Sequence, residues 1–177
     1  MVNLLLTLIP YSVLLAHIAF VAIILAIALG IPIGKKALGF FGKNAVPLAF
    51  LVSLLGIIGS LFYSDIVGYE PCVLCWWQRV FLYPLGLIFG LAWWKKLPNP
   101  FTYGVPLASI AGLIALYHSY TNLGGGSVLP CTAFGGACAR LYVLKFGYIT
   151  IPAMSLTIAV FILALAWANK KYEDSHA

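Results

Sequence analysis

The chain has 177 residues, 63% of them hydrophobic and only 8% charged, with a formal net charge of +6 and a mean hydropathy of +1.06. A soluble domain carries about 25% charged residues, so this chain lacks the surface that water requires. Its length admits four or five membrane helices of about 20 residues each and no second, soluble domain. The basic balance does not mark a nucleic-acid binder either. The cations stand in short clusters between apolar runs, with no basic stripe to follow a phosphate backbone.

Five apolar stretches follow in chain order, at about Leu4–Ile33, Ala45–Ser64, Val73–Trp94, Phe101–Tyr120 and Tyr148–Ala168. The first has no basic segment before it, since Lys35 and Lys36 come after the run, and it is too long for a signal-peptide core. It reads as a retained helix. Most prolines fall near segment ends, where a missing N–H costs little; Pro10 and Pro84 lie inside runs and are expected to kink them. Gly86 with Gly90, Gly56 with Ser60 and Ala108 with Gly112 are small residues four apart, the spacing that lets membrane helices approach closely.

Sorting the cations by connection orients the bundle. Lys35, Lys36 and Lys43 follow the first stretch, Lys95 and Lys96 the third, and Lys170 and Lys171 the fifth. These are seven of the ten basic residues; Arg79, Arg140 and Lys145 fall on the other side. The positive-inside rule then predicts an external N-terminus, a cytoplasmic C-terminus and external cysteines.

The cysteines form two pairs. Cys72-Val-Leu-Cys75 immediately precedes the third stretch, and Cys131 and Cys138 lie in a glycine-rich connection before the fifth. In an oxidising compartment all four are expected to pair. One reading makes both pairs structural staples, although a glycine-rich loop offers little to hold in place. A zinc site is another, although the six-residue gap between Cys131 and Cys138 suits it less than a second C-x-x-C would. Redox chemistry is the third, because a C-x-x-C thiolate is stabilised at a helix N-terminus. A non-catalytic membrane scaffold or transporter with structural disulfides is the competing class.

Arg79 bears on the choice. It lies four residues after Cys75 on the same helix face, about 6 Å along the axis. An arginine inside an apolar run is costly. It is accounted for by facing a thiolate or the oxygen of a reduced quinone, or by snorkelling to the interface. His118, near the outer end of the fourth stretch, is a candidate donor there, or a plain interfacial histidine. His17, midway along the first stretch, reads as a polar residue of helix packing. Residues Ala139 to Tyr148 mix aromatics with cations, as a short interfacial stretch does.

The chain resembles the DsbB family, especially its shorter Gram-positive branch, BdbC. The resemblance covers roughly Ala45 to Asn169 and rests on Pro71-Cys72-Val-Leu-Cys75-Trp-Trp-Gln78-Arg79, Tyr83-Pro84, Tyr117-His118, Cys131, Cys138 and Phe146-Gly-Tyr-Ile-Thr-Ile-Pro152. It implies an all-α integral membrane protein with a four-helix bundle core and, here, one additional N-terminal transmembrane helix. The expected division is residues 1–42 for that helix and a cytoplasmic loop, and 43–177 for the family domain. Vitamin K epoxide reductases share the bundle but carry their loop cysteines before the C-x-x-C, the reverse of the order here.

The resemblance implies electron flow from a secreted thioredoxin-like thiol oxidase of the DsbA or BdbD type to a membrane quinone, ubiquinone or menaquinone. Cys131 and Cys138 would exchange with the partner and Cys72 and Cys75 would take the electrons, with Cys75 the thiolate that meets the quinone. Arg79 and His118 would lie at the quinone site, with no metal. The family core has no counterpart of the first helix, which is expected to pack on the bundle, cover a quinone entry or bind a partner.

Overall fold

A computed structural model describes residues 2–125 and 140–176, so Cys131 and Cys138 lie outside the described residues. Helix α1 spans Val2–Ala28, α2 Pro32–Lys43, α3 Ala45–Leu61, α4 Val73–Lys95, α5 Phe101–Asn122 and α6 Ile151–Asp174. All but α2 are long and apolar enough to cross a membrane, α3 together with the turn Phe62–Ile66 that continues it, as all-α integral membrane architecture requires. The chain is therefore a multi-pass membrane protein. Helices α3, α4, α5 and α6 pack in a ring, with α3 against α6 closing it. Leu85, Phe89, Ala108, Ala111 and Ile162 are fully buried inside it.

Small residues set the ring's tightness. A Cβ on Gly56 would lie 2.5 Å from Ile158 Cδ1, and one on Gly86 would lie 2.8 Å from Ile57 Cδ1. Helix α6 is started by Thr150, whose hydroxyl accepts from the Ala153 amide at 3.3 Å, with Pro152 inside the first turn.

Two features depart from the sequence expectation. The connection expected as a loop after the first stretch is the helix α2. Pro32 opens it, Gly34 and Gly42 are buried, and Lys35, Lys36 and Lys43 face outward. That is an amphipathic pattern, polar on one face and packed on the other. The end of α3 continues as a π-helical turn over Phe62–Ile66, with the Val67 amide donating to the Phe62 carbonyl at 3.0 Å. A single π turn inside a helix inserts a residue and rotates the side chains that follow.

Helix α1 contacts α2 closely and the bundle mainly through side chains. Leu6, Ile9, Val13 and Leu14 cover a cluster of Phe62, Tyr63, Val143, Ile149 and Met154. His17 bridges the helices. The Thr157 hydroxyl donates to the Ala153 carbonyl at 2.9 Å, so His17 Nε2 donates to Thr157 Oγ1 at 2.7 Å and Nδ1 accepts from the Tyr148 hydroxyl at 3.1 Å. Residues 140–149 form a strap across this end, turned by Phe146 (φ 56°) and Gly147 (φ 77°). Tyr142 of the strap stacks on Tyr69 with ring centres 4.5 Å apart, and Tyr11 meets Phe146 edge-on at 5.1 Å.

Candidate functional site

Pro71 ends the irregular stretch before α4, and Cys72 caps that helix in an extended conformation, its carbonyl accepting from the Trp76 amide at 3.1 Å. One turn on, Cys75 brings its sulfur to 3.5 Å from that of Cys72, both as free thiols. A disulfide needs about 2.05 Å, so closure asks for a shift of about 1.5 Å in a pair already on one helical turn.

Cys72 is 4% exposed, and His118 from α5 is 3% exposed. The Nε2 atom of His118 lies 3.6 Å from the Cys72 sulfur. Its Nδ1 lies 2.9 Å from the side-chain nitrogen of Gln78, which is 3% exposed. An amide nitrogen only donates, so Nδ1 accepts and the neutral imidazole carries its proton on Nε2, aimed at Cys72.

The thiol of Cys72 is held well below the ordinary cysteine range. The contact with Cys75 contributes most, burial opposes it, and the hydrogen bond from His118 adds to the lowering. Geometry alone permits the S–H···S bond in either direction. His118 and the positive end of α4 both face Cys72 and settle the negative charge there.

Arg79 is half-buried one turn beyond Cys75. Its Nε donates to Ser60 Oγ at 3.0 Å and its Nη2 to the Ser60 carbonyl at 3.2 Å. Its guanidinium lies 5.1 Å from the centre of the Trp76 ring, and the Tyr83 hydroxyl donates to the same Ser60 Oγ at 3.2 Å. Cys72, Cys75, Arg79 and His118 all line one cavity between α3, α4, α5 and α6. The remaining site candidates, Cys131 and Cys138, are the pair outside the described residues.

Sequence reading gave three residues of this cavity no role in the site. Gln78 and Ser60 were visible as polar residues inside apolar runs, the signal that applies to membrane helices. Tyr63 gave no such signal, because tyrosines are common in these segments. Yet it lines the cavity, is 4% exposed, and its hydroxyl is the one buried side-chain polar atom without a hydrogen-bond partner among the described residues.

The cavity thus offers a dithiol, a half-buried guanidinium and an orphaned hydroxyl donor to one volume. An orphaned buried hydroxyl is costly unless a ligand completes it. A ring with oxygens at its edge and an apolar body fits that donor set. The sulfurs and His118 Nε2 also lie within 4.8 Å of one another, a spacing that zinc accepts.

Comparison with known proteins agrees with this chemistry. The family described as disulfide bond formation protein DsbB matches residues 42–169. The SPbeta prophage-derived disulfide bond formation protein B of Bacillus subtilis strain 168 is 40% identical over 123 residues, 70% of this chain and 83% of that protein. The probable disulfide formation protein C of Bacillus cereus is 41% identical over 127 residues, 67% of this chain and 88% of that protein. No solved structure matches. A match from the end of α2 to the last turns of α6 leaves only α1, most of α2 and the tail outside it. This protein belongs to the DsbB family, and its activity is disulfide bond formation at a membrane.

Proposed function

We propose that the protein reoxidises a secreted thioredoxin-like thiol oxidase and passes the electrons to a membrane quinone, ubiquinone or menaquinone. The observation that carries this reading is the shared cavity, in which the Cys72–Cys75 pair meets Arg79 and the unpartnered Tyr63 hydroxyl. A scaffold stapled by disulfides has no use for an orphaned donor beside a free dithiol.

In the proposed cycle Cys131 and Cys138 exchange with the partner through a mixed disulfide and then reduce the Cys72–Cys75 disulfide. In that step the Cys72–Cys75 disulfide gains two electrons and one proton, while Cys131 and Cys138 close to a disulfide and the other proton leaves to water. The reduced pair rests with its charge on Cys72, held by the Nε2 proton of His118, and its proton on Cys75, where the family resemblance implied a Cys75 thiolate. Arg79 and Tyr63 would hold the quinone by its oxygens, against the apolar wall that includes Leu82 and Ile158. Bound there, a quinone would accept the two electrons released when the pair closes, together with the Cys75 proton and one from water. Cys75 presents its sulfur on the Arg79 side of α4, and the S–S bond to Cys72, 3.5 Å away, would form as Cys75 gives up its proton and the pair its two electrons to the acceptor. His118 therefore serves the thiolate directly, and the quinone only through it.

The same reading places the protein in the cell (inner) membrane with the cysteines outside and seven lysines inside. It treats residues 1–42 as an addition to a four-helix domain of residues 43–177. The test is quinone reduction by the purified protein with a reduced thioredoxin-like donor, followed by loss of quinone absorbance. Turnover that Cys75→Ser abolishes is expected. Thiol exchange with the donor but no quinone reduction would refute the acceptor.

A further inference from the structure

A second cavity lies away from the cysteines, on the lysine-rich side of the molecule. Helix α1 is tied to the bundle at His17 and by Phe20 against Phe161, with ring centres 5.0 Å apart. Beyond that point α1 parts from α6 and leaves a wedge of about 510 Å³ between α1, α2, α3 and α6. Ile23, Ile27, Leu38, Phe41, Val52 and Leu165 are among its walls, and only Trp167 of the lining carries a side-chain hydrogen-bonding group. Water needs two to four polar partners, and an apolar cavity of about 150 Å³ already admits benzene. The wedge suits a hydrocarbon chain.

Two kinds of chain are present in a membrane, the acyl chains of lipids and the isoprenoid tails of quinones. The seam between α3 and α6 separates them. Gly56 and Ile158 wall the thiol cavity, while Val52 and Phe161, about one turn further, wall the wedge. Between them the helices touch so closely that a Cβ on Gly56 would meet Ile158 at 2.5 Å. A tail anchored at the cysteines finds no passage there.

The wedge ends instead among cations. Lys35 stands one turn before Leu38, and Lys171 one turn after Ala168, both of which are lining residues. Lys36, Lys43 and Lys170 are also exposed at this end. Gly42 against Ala168 and Tyr172 sets Lys43 beside the α6 lysines, with Lys35 and Lys36 about two turns away along the same helix. Of the two acids nearby, Glu173 already accepts from Asn169 at 3.0 Å.

We propose that the wedge binds one anionic phospholipid, an acyl chain between α1 and the bundle and the phosphate over the lysines of α2 and α6. The site lies largely outside the family-matched segment on its α1 and α2 side. It does not depend on the quinone reading.

The test titrates the purified full chain in detergent with phosphatidylglycerol and phosphatidylcholine of equal chain length, counting bound lipid by native mass spectrometry. One phosphatidylglycerol is expected to stay bound where phosphatidylcholine does not. Lys35→Gln with Lys36→Gln and Lys171→Gln should erase that preference, at about fivefold per lysine. Ala164→Phe, which fills the wedge, should lose the bound phosphatidylglycerol. If that variant does not melt as a folded protein, Ala19→Phe fills the wedge from the α1 side. Equal binding of the two lipids by the wild type, unchanged binding in a folded wedge-filled variant, or a quinone retained in the wedge would each overturn the proposal.

Discussion

At the scale of residues, the Cys72–Cys75 pair is governed by what faces Cys72. A donor on a thiolate stabilises the reduced form over the disulfide, so it raises the reduction potential. Removing the Nε2 proton of His118 must lower it. One hydrogen bond to a charged group is worth about 1.5–3 kcal/mol, and 30 mV corresponds to about 1.4 kcal/mol for a two-electron couple. His118→Leu is therefore expected to make the Cys72–Cys75 pair about 30–60 mV more reducing in glutathione buffers, measured with Cys131 and Cys138 replaced by Ser. The pH dependence has the same origin. Because the Cys72 thiol is depressed, thiolate absorbance near 240 nm should persist well below the usual cysteine range and be lost only on further acidification. In His118→Leu that loss should move to higher pH. An unchanged potential and an unchanged titration together would remove His118 from the pair.

Arg79 gives a second residue-scale prediction. Its two bonds to Ser60 and its stacking on Trp76 use the planar fork of a guanidinium, which an ammonium cannot reproduce. Arg79→Lys is expected to insert normally but to use a soluble quinone analogue about ten- to a hundredfold less efficiently, mainly through KM. Steady-state titration measures it; wild-type kinetics would leave Arg79 as an interface anchor.

At the scale of elements, the decisive contact is the seam between α3 and α6. Gly56 and Ser60 were read as one small-residue pair, and they part company in the fold. Gly56 admits Ile158 of α6, whereas Ser60 turns to Arg79 and Tyr83 of α4. Overpacking a tight contact costs about 1–3 kcal/mol. Gly56→Ala should lower thermal stability by that order, and adding Ile158→Val should recover part of it. Additive effects of the two changes in a double-mutant cycle would show that the helices do not meet there. The π-helical turn after Leu61 belongs to the same scale, since it precedes the strap contacts of Tyr69 and places Tyr63 in the cavity.

For the whole molecule, five candidate spans place the two ends on opposite sides. A reporter after the last helix is expected on the lysine side and one before α1 on the cysteine side; finding both on one side would reject the five-span topology. Hydropathy and the C-x-x-C–Arg79 spacing, with the motifs downstream of it, were enough, by themselves, to identify the spans and the family. Each is local or additive along the chain, because a bilayer reads every segment's apolarity separately. The tertiary structure alone decided the rest. That Gln78 orients His118 toward Cys72, that Tyr63 is left without a partner, that α2 is a helix laid on α6, and that α1 parts from the bundle into a wedge all depend on which helix faces come together. Segments 40 or more residues apart in sequence meet in the Gln78–His118 bond, and no periodicity along one segment encodes what another segment will present to it.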